Sequence, residues 1–142
     1  MSQNLTVERS VLINADTAKV WDALVNPVMI KHYLFGTDTI SDWKVGSRIT
    51  YKGVWNGKEY EDGGIIKQLV PEKIFQSTYW SSMSGTENIP ENYATVTYTL
   101  DKKDNSTLLT VTQDNCKSEE AKEHSGKNWE MVLGKMKELL EQ

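Results

Sequence analysis

The chain has 142 residues, of which 38% are apolar and 25% charged, so it suits a single domain over residues 1–142 and is neither disordered nor a coiled coil. Sixteen Lys and Arg against twenty Asp and Glu give a net charge of −4 without a basic stripe, so no nucleic-acid partner is expected. The chain lacks a signal-peptide pattern and an apolar run of the roughly 20 residues that span a bilayer, which favours a cytoplasmic protein with no membrane span.

The first predicted elements are a strand and two short helices. Apolar residues alternate over 5–13, which indicates a strand with one buried face. Asn14 or Asp16 can cap the helix that follows, because their side-chain oxygens accept hydrogen bonds from N–H groups of the first turn. Asn26-Pro27 then predicts a second short helix to about Tyr33, because proline suits the first helical position.

The middle of the chain has the pattern of antiparallel strands. Residues 48–55 alternate, and Asn56-Gly57 follows them, a pair that favours a type I′ hairpin turn because both residues tolerate positive φ. Counting across this turn pairs Tyr51 with Asp62, Lys52 with Glu61, and Gly53 with Tyr60. Gly63-Gly64 lies within the return strand, which runs to Val70, and predicts a bulge or a sharp bend there.

Three further strands and one long helix complete the predicted order. The strands are expected over 73–80, 93–100 and 107–114. The segment 81–92 is long for a hairpin loop and is expected to be mobile or functional. A helix is expected over 119–140 because apolar residues recur along one stripe of its surface.

These elements predict an α+β fold in which an antiparallel sheet of about six strands packs against the long C-terminal helix. Twist curves such a sheet, so a helix on its concave side leaves a space between the two. The side chains expected to face that space are unusually aromatic, namely Tyr51, Trp55, Tyr60, Trp80, Tyr98 and Trp129. Large rings with polar tips suit both a ligand cavity and a packed core, so both interpretations stay open.

Several segments carry a family resemblance: Ala18-Lys19-Val20-Trp21-Asp22-Ala23-Leu24, Tyr33-Leu34-Phe35-Gly36, Trp43-Lys44-Val45-Gly46-Ser47, Pro71-Glu72-Lys73, and the final helix from Glu123-His124 through Trp129 to Leu140. Together they resemble the homologues of the C-terminal domain of the activator of Hsp90 ATPase, within the START-like (helix-grip, SRPBCC) superfamily that includes the Bet v 1-like proteins. The resemblance implies a curved sheet that grips the C-terminal helix around a cavity for lipids, polyketides or other hydrophobic molecules. Some relatives are cyclases or dehydratases.

One departure from the family bears on function. The eukaryotic co-chaperone has an additional N-terminal domain that contributes to Hsp90 binding, and a chain of 142 residues has no room for it. This departure argues against Hsp90 activation as the expected activity.

Few residues point to catalysis, and no metal or cofactor is expected. One cysteine and two histidines are too few for a structural zinc site. His32 is expected to pack or cap rather than to transfer protons, and His124 is expected at the edge or the solvent side of the last helix. Cys116 has no histidine near it in sequence to act as an activating base, so it is interpreted as an incidental thiol.

Three polar residues have strand positions that merit attention. Asp62 would have a raised pKa if buried and would then suit acid or base chemistry, but the glycine bend beside it is expected to turn it outward. Gln113 is expected to face inward, where it needs a ligand, a water or an internal partner, because an unpaired buried amide costs about 1–3 kcal/mol. Strand alternation would aim Arg9 inward, but its long stem could instead carry it to solvent at the rim of the sheet.

Three functions remain as hypotheses. The first is binding of a small hydrophobic or amphipathic molecule or a lipid, with segment 81–92 gating the cavity mouth and ligand contacts from Tyr51, Trp55, Trp80, Tyr98, Gln113, Trp129 and Met136. The second is a protein-interaction module of the chaperone-accessory type, which would use an apolar patch of Val28, Met29, Leu34 and Phe35. The third is a cyclase-like or dehydratase-like enzyme that uses Asp62 or His32.

Overall fold

The computed structural model describes residues 5–82 and 85–141, and in these ranges the chain forms seven strands and three helices. The strands are β1 (Leu5–Ile13), β2 (Asp38–Ser41), β3 (Arg48–Trp55), β4 (Lys58–Val70), β5 (Ile74–Tyr79), β6 (Ala94–Lys103) and β7 (Ser106–Cys116). The helices are α1 (Thr17–Val25), α2 (Pro27–Tyr33) and α3 (Glu119–Leu140), with a 3₁₀ turn at Pro90–Asn92. The predicted α+β fold is confirmed.

The strands form one antiparallel sheet in the order β1-β7-β6-β5-β4-β3-β2. The described sheet therefore has seven strands rather than about six. The additional strand is β2, an edge strand that pairs Thr39 with Tyr51 of β3. It escapes sequence inspection because it has only four residues, and its one large apolar side chain, Ile40, points to solvent.

The hairpin of β3 and β4 has the predicted register. Tyr51 lies opposite Asp62, Lys52 opposite Glu61, and Gly53 opposite Tyr60. The pairing continues through Gly63 and Gly64 without a register shift, and the shift in β4 lies between Ile66 and Gln68, in the pairing with β5. Of the predicted bulge or sharp bend at the glycine pair, the bulge is therefore wrong, which bears on the direction in which Asp62 points.

Each helix begins at a capping side chain. Asp16 accepts a hydrogen bond from the Lys19 amide (2.9 Å) at the start of α1, so the cap is Asp16 rather than Asn14. Asn26 accepts from the Val28 amide at the start of α2 (3.0 Å), and Ser118 accepts from the Ala121 amide at the start of α3 (3.0 Å). These bonds satisfy first-turn N–H groups that lack partners inside the helix.

Helix α3 is held mainly along one edge of the sheet. Helix α3 contacts β1 more extensively than it contacts any other strand or helix. Lys137 Nζ donates to the Leu12 carbonyl oxygen (2.7 Å), and Arg9 Nε lies 3.3 Å from Glu130 Oε2, so Arg9 reaches the rim as expected. A Cβ at Gly126 would lie 2.4 Å from Arg9 Nη2, so the glycine lets the guanidinium approach the helix closely.

The apolar side of α3 contributes Val132, Leu133, Met136 and Leu140 to the core, where they join the buried faces of the sheet and of the two short helices. Within residues 5–82 and 85–141, no helix combines the length and the apolar character that crossing a membrane requires.

Candidate functional site

A cavity of about 430 Å³ lies between the sheet and α3. This volume falls within the roughly 300–1,000 Å³ of small-molecule sites. Strands β3 to β7 supply the sheet side, α3 supplies the opposite side, and the segment after α2 closes one end. Phe35 of that segment and Val54 of β3 line the cavity and are 61% and 65% exposed, so they lie where the cavity meets solvent.

The walls of the cavity combine aromatic rings with polar tips. Its aromatic residues, apart from Phe35, are Tyr51, Tyr60, Tyr79, Tyr98 and Trp129. The Tyr51 and Tyr79 rings have centroids 6.0 Å apart, and the Tyr98 ring meets Trp129 edge-on at 5.8 Å. The polar side chains that line it are Thr37, Asp62, Ser77, Gln113, Ser125 and Asn128. A guest would therefore meet apolar ring faces and hydrogen-bonding groups in the same space.

Asp62 lies inside the cavity and is only 8% exposed. Its Oδ2 accepts a hydrogen bond from the Tyr79 hydroxyl (3.0 Å), and its Oδ1 accepts from the Ser82 amide (3.0 Å) and the Ser82 hydroxyl (3.3 Å). The expectation that Asp62 turns outward is wrong. Because no bulge interrupts the pairing of β3 with β4, strand alternation leaves Asp62 on the same face as Tyr51 and Tyr60.

Burial keeps the cavity tyrosines protonated. It raises the pKa of Tyr51 and Tyr98 above the ordinary value of about 10, because the phenolate would lose its hydration. Burial also raises the pKa of Tyr79, and the Asp62 charge and hydrogen bond add to this effect. At neutral pH these hydroxyls can donate hydrogen bonds to Asp62 or to a guest.

Gln113 has an internal partner. Its Oε1 accepts a hydrogen bond from Trp129 Nε1 at 2.9 Å, which connects β7 to α3 across the end of the cavity. This bond fixes the orientation of the indole that forms part of the wall. The inward direction expected for Gln113 matches its place in the lining, and its need for a partner is met within the chain.

Replacing Gln113 with leucine is expected to lower the free energy of unfolding by about 1–3 kcal/mol, because Trp129 Nε1 then loses its acceptor in a partly buried position. Urea unfolding followed by circular dichroism measures the change. The exposed Gln68 of β4 provides the matched control, since Gln68→Leu should stay within about 0.5 kcal/mol of the wild type. Equal effects of the two substitutions would show that the Gln113–Trp129 bond does not contribute to stability.

The structure places four of the seven predicted ligand-contacting residues in the cavity wall, namely Tyr51, Tyr98, Gln113 and Trp129. Trp80 is not among the described lining residues. Ser77 and Tyr79 of β5 line the cavity, so Trp80, the next residue, points away from it. Its indole N–H donates to Thr86 Oγ1 (3.1 Å), and its ring stacks on Tyr93.

Met136 is fully buried, with 0% exposure, and belongs to the core rather than to the described cavity wall. It lies two helical turns beyond Trp129, roughly 10 Å farther along α3, where the helix packs tightly on the sheet. The side chain of Trp55 lies outside the described residues, so its predicted ligand contact is not placed. Residues 83–84 of the predicted gating segment also lie outside the described residues.

Tyr79, Ser77 and Val96 line the cavity although they were not predicted to bind a ligand. Their positions follow from strand alternation: Ser77 and Tyr79 share a face with the buried Phe75, and Val96 shares one with Tyr98. The same alternation along β5 puts Trp80 on the opposite face from Tyr79.

The remaining candidates for chemistry lie outside the described cavity lining. His32 and His124 are exposed. Cys116 is buried, and burial raises the pKa of its thiol, which keeps it protonated and weakly nucleophilic. In the predicted interaction patch, Val28 and Phe35 are exposed, whereas Met29 and Leu34 pack against the core.

Comparisons with known proteins agree with this architecture. The family described as "Activator of Hsp90 ATPase homolog 1-like protein" matches residues 14–141. No curated protein matches the chain. The chain is similar to the solution structure of ChR145 from Cytophaga hutchinsonii, with 43% identity, a TM-score of 0.86, and coverage of 99% of this chain and 96% of that one.

Two more distant structures show the same fold. The Aha1 dimer from Colwellia psychrerythraea has 22% identity and a TM-score of 0.76, with 96% of each chain covered. CalU16 from Micromonospora echinospora has 18% identity and a TM-score of 0.71, with 99% of this chain and 86% of that chain covered.

The family match spans nearly the whole chain, and the resemblance found in the sequence is confirmed. The chain belongs to the activator of Hsp90 ATPase homolog 1-like family.

Proposed function

We propose that the chain binds a small hydrophobic or amphipathic molecule in the cavity between the sheet and α3. The observation that carries this proposal is the space of about 430 Å³ that the surrounding side chains leave unfilled. A guest that displaces water from this space would gain dispersion contacts with the side chains that line it.

The composition of the wall supports an amphipathic guest. Tyr98, Trp129 and Val132 offer apolar surface, while Gln113 and the tyrosine hydroxyls offer hydrogen bonds. A pocket that is mainly apolar, with a few polar groups that fix orientation, is typical of small-molecule sites. The exposed Phe35 and Val54 at the mouth extend the apolar surface toward solvent.

A cavity-filling substitution tests the proposal. Val96 lines the cavity from β6, so Val96→Phe should place a ring in the space that a guest needs. We expect binding to weaken by at least about tenfold, since even one methylene in a pocket is worth roughly 1–3 kcal/mol. Isothermal titration calorimetry with a panel of fatty acids, alkyl alcohols, alkylamines, sterols and aromatic polyketides measures the affinity.

The matched control is Val70→Phe, which makes the same change at an exposed position near the end of β4, outside the described cavity lining. This variant should bind like the wild type. The proposal fails if no member of the panel binds the wild type, or if Val96→Phe binds as tightly as Val70→Phe while both are folded by circular dichroism.

A further inference from the structure

We infer that the guest carries a protonated amine and that Asp62 receives it. This inference rests on the proposed function and narrows it from a hydrophobic or amphipathic molecule to a cationic amphiphile. Three observations carry it: the charge of the cavity, the unused hydrogen-bonding capacity of the carboxylate, and the aromatic rings around it.

The first observation is the charge of the cavity. Asp62 is the only Asp, Glu, Lys, Arg or His among the described residues that line it. Across residues 5–82 and 85–141, Asp62 takes part in none of the ion pairs. A carboxylate removed from water without a cationic partner is costly, so a cationic guest would supply the counter-charge that the wall lacks.

The second observation is the hydrogen bonding of the carboxylate. Tyr79 and Ser82 direct three hydrogen bonds toward the carboxylate of Asp62, which accepts all three. Two carboxylate oxygens have about four acceptor sites. Because Asp62 also lines the cavity, the remaining capacity is available to a donor on the guest. An ammonium group is a strong donor for such a site.

The third observation is the group of three tyrosines close to the carboxylate. Tyr51 lies directly opposite Asp62 across the β3–β4 pairing, Tyr79 donates to it, and Tyr60 lies two residues before it on the same face of β4. Ring faces attract cations, and aromatic cages are used to recognise ammonium groups. The same surroundings disfavour a carboxylate guest, because two like charges would share a poorly hydrated space.

A series of guests with one chain length tests the inference. Octylammonium, octanol and octanoate differ mainly in the charge of the head group, and each is titrated calorimetrically below its micellar concentration at neutral pH. We expect octylammonium to bind the wild type about tenfold more tightly than octanol, as a charge-assisted hydrogen bond would provide, and octanoate to bind most weakly. Asp62→Asn should remove the amine's advantage and change the octanol affinity by less than about threefold.

The control variant is Asp101→Asn, which removes one negative charge from an exposed position on β6, outside the described cavity lining. It should keep the wild-type order of affinities. Equal binding of all three guests to the wild type, or an unchanged amine-to-alcohol ratio in folded Asp62→Asn, overturns this inference and leaves the proposed function standing. Failure of all three guests to bind overturns this inference, and the proposed function falls with it only if every other member of the calorimetry panel also fails to bind. If Asp62→Asn does not fold, the inference is decided by the relative affinities of the wild type for octylammonium, octanol and octanoate.

Discussion

Replacing Gly64 with alanine is expected to lower the free energy of unfolding by about 3 kcal/mol or more. A Cβ at this position would lie 2.0 Å from the Thr78 carbonyl oxygen and 2.5 Å from Thr78 Oγ1. Neither atom can move away easily. The carbonyl belongs to the backbone of β5, and the hydroxyl accepts a hydrogen bond from the Ile65 amide at 2.9 Å. The substitution therefore forces the two strands apart beside Asp62.

The chain provides a matched control in Gly134, which lies exposed on α3, where a Cβ would meet no atom within 4 Å beyond its own stretch of the helix. Gly134→Ala should raise stability by about 0.4–1 kcal/mol, because alanine restricts the unfolded chain and favours the helix. Urea unfolding of both variants under the same conditions should give changes of opposite sign. A Gly64→Ala protein as stable as the wild type would contradict the close approach of β4 and β5.

Raising the pH from 10 to 11 is expected to remove up to about 4 kcal/mol of stability through the buried Tyr33 and three half-buried tyrosines of the cavity wall. Tyr33, Tyr51, Tyr79 and Tyr98 all have a raised pKa, with burial as the largest cause. The folded protein holds these protons more tightly than the unfolded chain, so their contribution is fully present below about pH 10 and declines as the pH rises above it. Each tyrosine accounts for about 1 kcal/mol over that unit.

Tyr79→Phe isolates this effect from the other groups that titrate in the same range. Lysines are common to both proteins, so the difference between their two pH profiles reports Tyr79. Urea unfolding at several pH values measures the free energy of unfolding of both proteins. Between pH 9 and 11 this free energy should fall by about 1 kcal/mol less in the variant than in the wild type. The variant also loses the bond to Asp62, which shifts its profile downward at every pH. Identical slopes in the two proteins would contradict a raised Tyr79 pKa.

Local chemistry explains why much of the fold could be predicted from the sequence. Asn56-Gly57 leaves little freedom in the hairpin turn. Counting residues outward from this turn therefore gives the pairing of Tyr51 with Asp62. Proline after Asn26 marked the start of α2, and the apolar stripe of α3 gave both ends of that helix.

The cavity could be predicted in position but not in size. Alternation gives the direction of a side chain, whereas a volume depends on how far α3 stands from the sheet, which no single segment determines. Asp62 was misplaced because Gly63 and Gly64 were interpreted as a bulge, although they serve the close approach of neighbouring strands. Trp80 was expected to face the cavity, but strand alternation along β5 puts its neighbour Tyr79 in the wall.

Because α3 is attached along β1, the residues that line the cavity are distinct from those that set the distance between the helix and the sheet. Leu133 and Met136 are buried where the helix meets the sheet, outside the described cavity wall. Their bulk acts as a spacer for the helix. Larger or smaller side chains at these two positions would therefore change the distance between α3 and the sheet, and with it the height of the cavity.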